Sequence, residues 1–174
     1  MGSWSIWHFI AFIVIAIAAA WLSRKNATDP PPRGLGGWLL VLIIFLLFWA
    51  AQELAEFYRV KAQVETLIPS ARDSRDYLEY MQYAAGIAWF QAALLIACAL
   101  LLAVSRGGKA IAAAIAALWL GGPIMAGIEF AMAESYFGEY LLEKDYSSLA
   151  ATTLFATIWT WYLLASRRVK NTYR

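Results

Sequence analysis

The chain has 174 residues, 62% of them hydrophobic and only 15% charged, and a formal net charge of +2. Soluble domains lie nearer half apolar and a quarter charged, so this composition excludes an ordinary soluble globular domain. The single cysteine, Cys98, excludes an internal disulfide.

Apolar stretches of about 20 residues mark helices that cross a hydrocarbon core roughly 30 Å thick. Five are present, at about 5–22, 36–57, 83–104, 110–132 and 148–165. They predict an all-α, polytopic transmembrane bundle of five spans, with no room for a separate soluble domain.

The first stretch, "SIWHFIAFIVIAIAAAWLS", carries Trp4, Trp7 and His8 at one end and Trp21 at the other, the pattern of an aromatic belt at both water interfaces. Its positive charge follows the apolar run, whereas a signal peptide carries it before. Residues 1–25 are therefore expected to be an uncleaved N-terminal anchor. Proline restrains itself and the residue before it to extended backbone, so "RKNATDPPPRG" predicts a short, stiff, cytoplasmic elbow at 26–35. A four-span unit then occupies 36–174, with its largest water-exposed loop at 58–82, helical on both sides of Pro69.

In the second half of that loop Tyr77, Tyr80, Met81 and Ala84 share three-to-four spacing, one amphipathic face suited to capping the bundle or, as the alternative, to lying on the membrane surface. "SRGGK" makes a tight turn before the fourth span. Within that span, "LWLGGPIMAG" places Pro123 near the bilayer centre, where it removes a backbone hydrogen bond and bends the helix. Ala113, Ala117 and Gly121 fall at four-residue spacing, a small-residue face for close helix packing. The chain closes on a basic tail, "SRRVKNTYR".

Sorting charge by side gives the orientation. With the N-terminus outside, the inner segments hold Arg24, Lys25, Arg33, Arg106, Lys109, Arg167, Arg168, Lys170 and Arg174 against Asp29 alone; the outer segments hold Arg59, Lys61, Arg72, Arg75 and Lys144 against all the other acids. Lys and Arg in short loops stay on the cytoplasmic side, so N-out, C-in is expected. The tail would face anionic inner-leaflet lipid, where each basic residue contributes about 1 kcal/mol.

Polar groups within spans point to function by default. At 1.5 Å per residue, Glu53 lies about 26 Å from a helix start near Gly36, close to the outer interface. Glu129 lies at a similar depth, and Gln91 about 12 Å down its own span. Gln52, Glu53, Gln91 and Glu129 are thus candidates for an outward-facing polar pocket; the alternative is that the carboxylates mark helix exits and the amides tie helices together. His8 is the only histidine, which excludes a bis-histidine haem, a multi-histidine metal site and a Ser–His pair within the membrane. No HExxH, Walker A or dinucleotide fingerprint occurs, so no catalytic, cofactor or metal residues are assigned.

Two resemblances rest on quoted motifs. "PRGLGGWLLVLIIFLLF" at 32–48 and "SRRVKNTYR" at 166–174 resemble the opening and closing signatures of a bacterial inner-membrane family, domain of unknown function 2569. Its signature positions here are Gly34, Gly36, Gly37, Trp38, Arg168 and Lys170. The resemblance implies four spans between the motifs and no assigned activity. "MGSWSIWHFI" is similar to the N-terminus of the twin-arginine translocase A subunit over ten residues, which implies a similar mode of anchoring and no translocase activity.

The expected protein is therefore a non-enzymatic, multi-pass protein of the bacterial inner membrane, acting as an accessory, assembly or interaction subunit. Membrane lipids and a membrane-protein partner or second copy are its expected contacts, with no cofactor and no nucleic acid. Two alternatives remain: a small transporter or proton- or cation-handling protein using the outward pocket, and a lipid-active membrane enzyme.

Overall fold

The computed structural model describes residues 34–138 and 146–173. The predicted first span lies outside the described residues, as does the elbow apart from Gly34 and Leu35. The described chain is all-helical: α1 (Trp38–Leu67), a 3-10 turn (Pro69–Asp73), α2 (Arg75–Val104), α3 (Gly108–Trp119), a π turn (Leu120–Ile124), α4 (Met125–Phe137), α5 (Ser147–Ala165) and α6 (Arg167–Thr172). Among the described residues four helices are long and apolar enough to cross a membrane: Trp38–Leu67, Arg75–Val104, Gly108–Phe137 and Ser147–Ala165. A helix encloses all its own backbone hydrogen bonds, which is why apolar segments of this length take that form in lipid.

The first two spans are longer than the apolar runs that define them. Each has 30 residues, about 45 Å of helix, so the hairpin extends past a hydrocarbon core of about 30 Å. Pro69 stops α1 by forcing Ile68 out of helical backbone (φ −131°, ψ 77°). Ser74 starts α2, its side chain accepting from the Tyr77 amide, with Asp76 in the first turn where the helix dipole favours a negative charge. Glu65 takes both Lys61 and Arg72 across this corner. The three side chains are 20–64% exposed, and such pairs are each worth less than about 1 kcal/mol.

The helices follow one another around the bundle. α1 and α2 form an antiparallel hairpin, α3 packs on α2, α5 packs on α3 and the π turn, and α1 closes the ring against α5 through aromatic side chains. Leu39, Leu42 and Leu46 from α1, Leu95 and Leu102 from α2, Leu118 from α3 and Leu163 from α5 are fully buried. The core thus lies toward the end that carries Gly34 and Ser166; α4, at the far end, buries no residue.

Close packing on α3 and the π turn uses Ala110, Ala114, Ala117, Gly121 and Gly122, all buried. The predicted stripe is offset from this. Ala117 and Gly121 are on the buried face, but Ala113 is exposed and Ala114 holds the inner position. Steps of four residues drift about 40° each around a helix of 3.6 residues per turn, so a 113–117–121 ridge leaves the interface, whereas alternating four and three keeps 110, 114, 117 and 121 facing it.

Candidate functional site

The third span changes helical form where the sequence places Pro123. That residue has no amide hydrogen to donate, and the chain widens into the π turn Leu120–Ile124. The Met125 amide consequently donates to the carbonyls of Leu120 and Gly122. In a regular α-helix it would have served Gly121. The Gly121 carbonyl instead accepts from Gln91 Nε2 on α2, at 3.2 Å. Gln91 is 3% exposed. A carbonyl can only accept, which fixes the orientation of the amide and leaves Gln91 Oε1 buried without a protein donor.

Gly121 and Gly122 owe their identity to neighbours. A Cβ on Gly122 would stand 3.4 Å from Trp49 Cη2 and 3.5 Å from Thr152 Cβ; one on Gly121 would stand 3.4 Å from Leu94 Cδ2. The tip of Trp49 therefore abuts the π turn. Its ring is flanked by Phe45 and Phe155, at centroid distances of 6.5 and 5.2 Å, and its Nε1 donates to Glu53 Oε1 at 2.6 Å, one turn further along α1. Glu53 and Glu129 lie within electrostatic range of one another, and Glu129 also of the Tyr80 phenol.

The four pocket candidates are thus divided. Glu53 on α1 and Glu129 on α4 are both half-buried and within electrostatic range of one another. Gln91 engages the π turn at Gly121, eight residues and about 12 Å of helix rise before Glu129. Gln52 is half-buried and takes part in neither the Gln91–Gly121 nor the Trp49–Glu53 bond. Trp49 bridges the two levels and was missed by reading polar residues alone; its four-residue spacing to Glu53 was the available signal. A groove of about 590 Å³ lies elsewhere, lined by Gln82, Tyr83, Gly86, Ile87, Phe90 and Met125, and contains none of the four. Among the described residues no cluster of three or more His, Cys, Asp or Glu side chains is placed to hold a metal.

The second assembly lies at the opposite end and joins residues far apart in sequence. Ser166 caps α6, accepting from the Val169 amide. Val169, Thr172 and Tyr173 are buried against the bundle. Thr172 Oγ1 donates to the Arg168 carbonyl at 2.8 Å and accepts from the Gly34 amide at 2.9 Å. Gly34 and Gly37 have φ of 87° and 57°, backbone that only glycine adopts freely. Gly36 faces Arg168: a Cβ there would stand 2.5 Å from Arg168 Nη1. Trp38 meets Trp159 edge-on at 6.4 Å. Five of the six signature positions, Gly34, Gly36, Gly37, Trp38 and Arg168, therefore build this end of the bundle together, while Lys170 is exposed on α6.

Tyr173 completes the junction, its hydroxyl donating to the Leu102 carbonyl on α2. Burial holds its phenol above the usual value of 10.0, opposed by the nearby Arg106 guanidinium. The phenol is thus neutral, and the bond intact, at every physiological pH. Tyr173→Phe should cost about 1 kcal/mol, read as a lower denaturation midpoint by circular dichroism in detergent. Because the folded pKa is raised, the unfolded phenol ionises first. Unaltered protein should accordingly lose stability as pH rises above about 10, and the Phe variant should lack that component.

Residues 32–174 match the family model described as "Protein of unknown function (DUF2569)". No curated protein and no solved structure matches the chain.

Proposed function

The chain belongs to the DUF2569 family of proteins of unknown function, and from that premise we propose that it is a non-enzymatic integral protein of the bacterial inner membrane, an accessory, assembly or interaction subunit. The observation that carries this reading is the use of the family signature: Gly34 and Gly36 meet the C-terminal helix at Thr172 and Arg168, and Trp38 packs on Trp159 of α5. Residues that hold a scaffold closed suit a protein whose work is to be a surface for others. The basic residues gathered at that end support an N-out, C-in orientation, with the signature on the cytoplasmic side.

The test is extraction of the chromosomally tagged protein in mild detergent, with the co-purifying proteins and their stoichiometry measured. A membrane protein at fixed ratio is the expected result. Purification alone, with a turnover of its own, would overturn the proposal.

A second reading is favoured by two half-buried carboxylates within electrostatic range of one another, Glu53 on α1 and Glu129 on α4. Two carboxylates so placed suit the handling of a proton or cation. In that case Glu129→Gln should abolish ion-dependent flux in proteoliposomes while the protein still inserts and folds. Unchanged flux, or none in the unaltered protein, rules the reading out.

A further inference from the structure

The end of the bundle built from residues 34–38, 105–109 and 166–173 carries five basic side chains, Arg106, Lys109, Arg167, Arg168 and Lys170, and no acid among the described residues. The acids described lie on the second half of α1, the turn after it, the start of α2, and α4. Arg59, Lys61 and Arg72, at that other end, pair with Glu56 and Glu65. The charge separation read along the sequence thus becomes a separation between two ends of one body.

Four of the five cations, Arg106, Lys109, Arg167 and Lys170, are exposed, yet they do not sit on loose chain. Burial of Val169, Thr172 and Tyr173 holds α6 against the bundle. The Tyr173 phenol reaches the Leu102 carbonyl and interacts with the Arg106 guanidinium, so the turn after α2 and the tail are held side by side. An anion meeting this rim finds the backbone that carries the cations already in place, so only their side chains have to order on binding.

Beside the cations the surface becomes apolar. Leu100 and Val104 on α2 are 57% and 78% exposed, and Trp161 and Leu164 on α5 are 72% and 57% exposed. Cations at the helix ends with bare aliphatic and indole surface within one or two turns match the build of a phospholipid, whose phosphate and acyl chains occupy successive depths. A soluble acidic partner would match the cations and leave the apolar flank uncovered. A zwitterionic headgroup would bring its own cation to a rim that is already positive.

We propose that this end of the bundle is a binding site for anionic phospholipid. Arg106 and Lys109 hold the headgroup phosphate from one side and Arg167 and Lys170 from the other, with the acyl chains along the exposed flanks of α2 and α5. The proposal rests on the chain lying in a membrane and is independent of its being an accessory subunit.

The experiment places the full chain in nanodiscs holding phosphatidylglycerol and phosphatidylcholine in equal parts. It then measures by mass spectrometry the lipid retained on the protein after detergent extraction. Phosphatidylglycerol should be enriched, and added salt should reduce the enrichment. The paired variants R106Q/K109Q and R167Q/K170Q should each lower phosphatidylglycerol retention about tenfold. A matched pair at the other end, K61Q/R72Q, should leave it unchanged. Circular dichroism establishes that each variant is folded; should a pair fail to fold, Lys170→Gln and the salt titration of unaltered protein decide. Equal retention of the two lipids overturns the proposal, as does an equal loss in the other-end pair. So does inorganic phosphate raising thermal stability as much as phosphatidylglycerol does, because the ligand would then be free phosphate. Recovery of a partner protein bears on the accessory role alone, so the two proposals fail separately.

Discussion

Trp49→Ala should destabilise the bundle by about 3–5 kcal/mol, the range for removing a buried large aromatic. Trp49 is 4% exposed, and its ring fills the space between Phe45, Phe155, Thr152 and the bare backbone of Gly122. Lipid tails are as apolar as the core, so exclusion of water contributes little to helix association in a bilayer and close contact carries most of it. Removing the indole forfeits those contacts at once, because helices held in register by Gln91 and by the terminal junction cannot close the gap. The same change takes from Glu53 its 2.6 Å donor. Trp49→Phe separates the two effects: it keeps most of the packing and loses the N–H, and should cost about 1–2 kcal/mol. Unfolding titrations followed by circular dichroism in mixed micelles provide the measurement. If Ala costs no more than Phe, the ring packing does not carry the bundle.

The second large effect is expected at Gln91, with an order of severity that bulk alone would not predict. Gln91→Leu removes the donor to the Gly121 carbonyl and, with it, the buried Oε1 that has no protein donor. The two changes oppose one another, and the net cost should be about 1 kcal/mol. Gln91→Glu is nearly isosteric and should be worse, by about 3 kcal/mol or more. Ionised, the carboxylate has no hydrogen for the Gly121 oxygen, so two acceptors face each other. A charge within an apolar span costs about 2.5–3.5 kcal/mol on insertion scales, so the full cost is expected at high pH. A milder effect from Glu than from Leu, at a pH that keeps the introduced carboxyl ionised, would show that Gln91 does not staple α2 to the π turn. Because this staple sits where the third span changes helical form, the Glu variant should also show faster amide exchange on both sides of Pro123.

The sequence carries the part of this architecture that rests on local, one-dimensional rules. Apolar runs placed the four described spans, since lipid demands that each segment satisfy its own backbone. The Pro69 interruption followed from the steric limit proline sets on the residue before it, and the Pro123 one from a missing amide hydrogen. Less was legible where the outcome depends on which faces meet. Four-residue spacing put Ala113 on the packing face, yet Ala114 is the buried one, because the true contact alternates steps of four and three. Depth alone grouped Gln91 with Glu53 and Glu129, and nothing in the local sequence reveals that the π turn would free the Gly121 carbonyl for that amide.

The two signatures make the same division. As strings, "GLGGW" and "SRRVKNTY" name the family and predict little else, and the sequence by itself determined only that one opens the four-span unit and the other closes it. That they form a single junction was decided by the tertiary structure, which brings the Gly34 amide to a hydroxyl 138 residues away and sets Arg168 against the bare Cα of Gly36. The reason is physical. Hydropathy and helix formation are properties of neighbouring residues, readable in sequence order, whereas a hydrogen bond between the two ends of the four-span unit exists only once four helices have packed and carried those ends to one place.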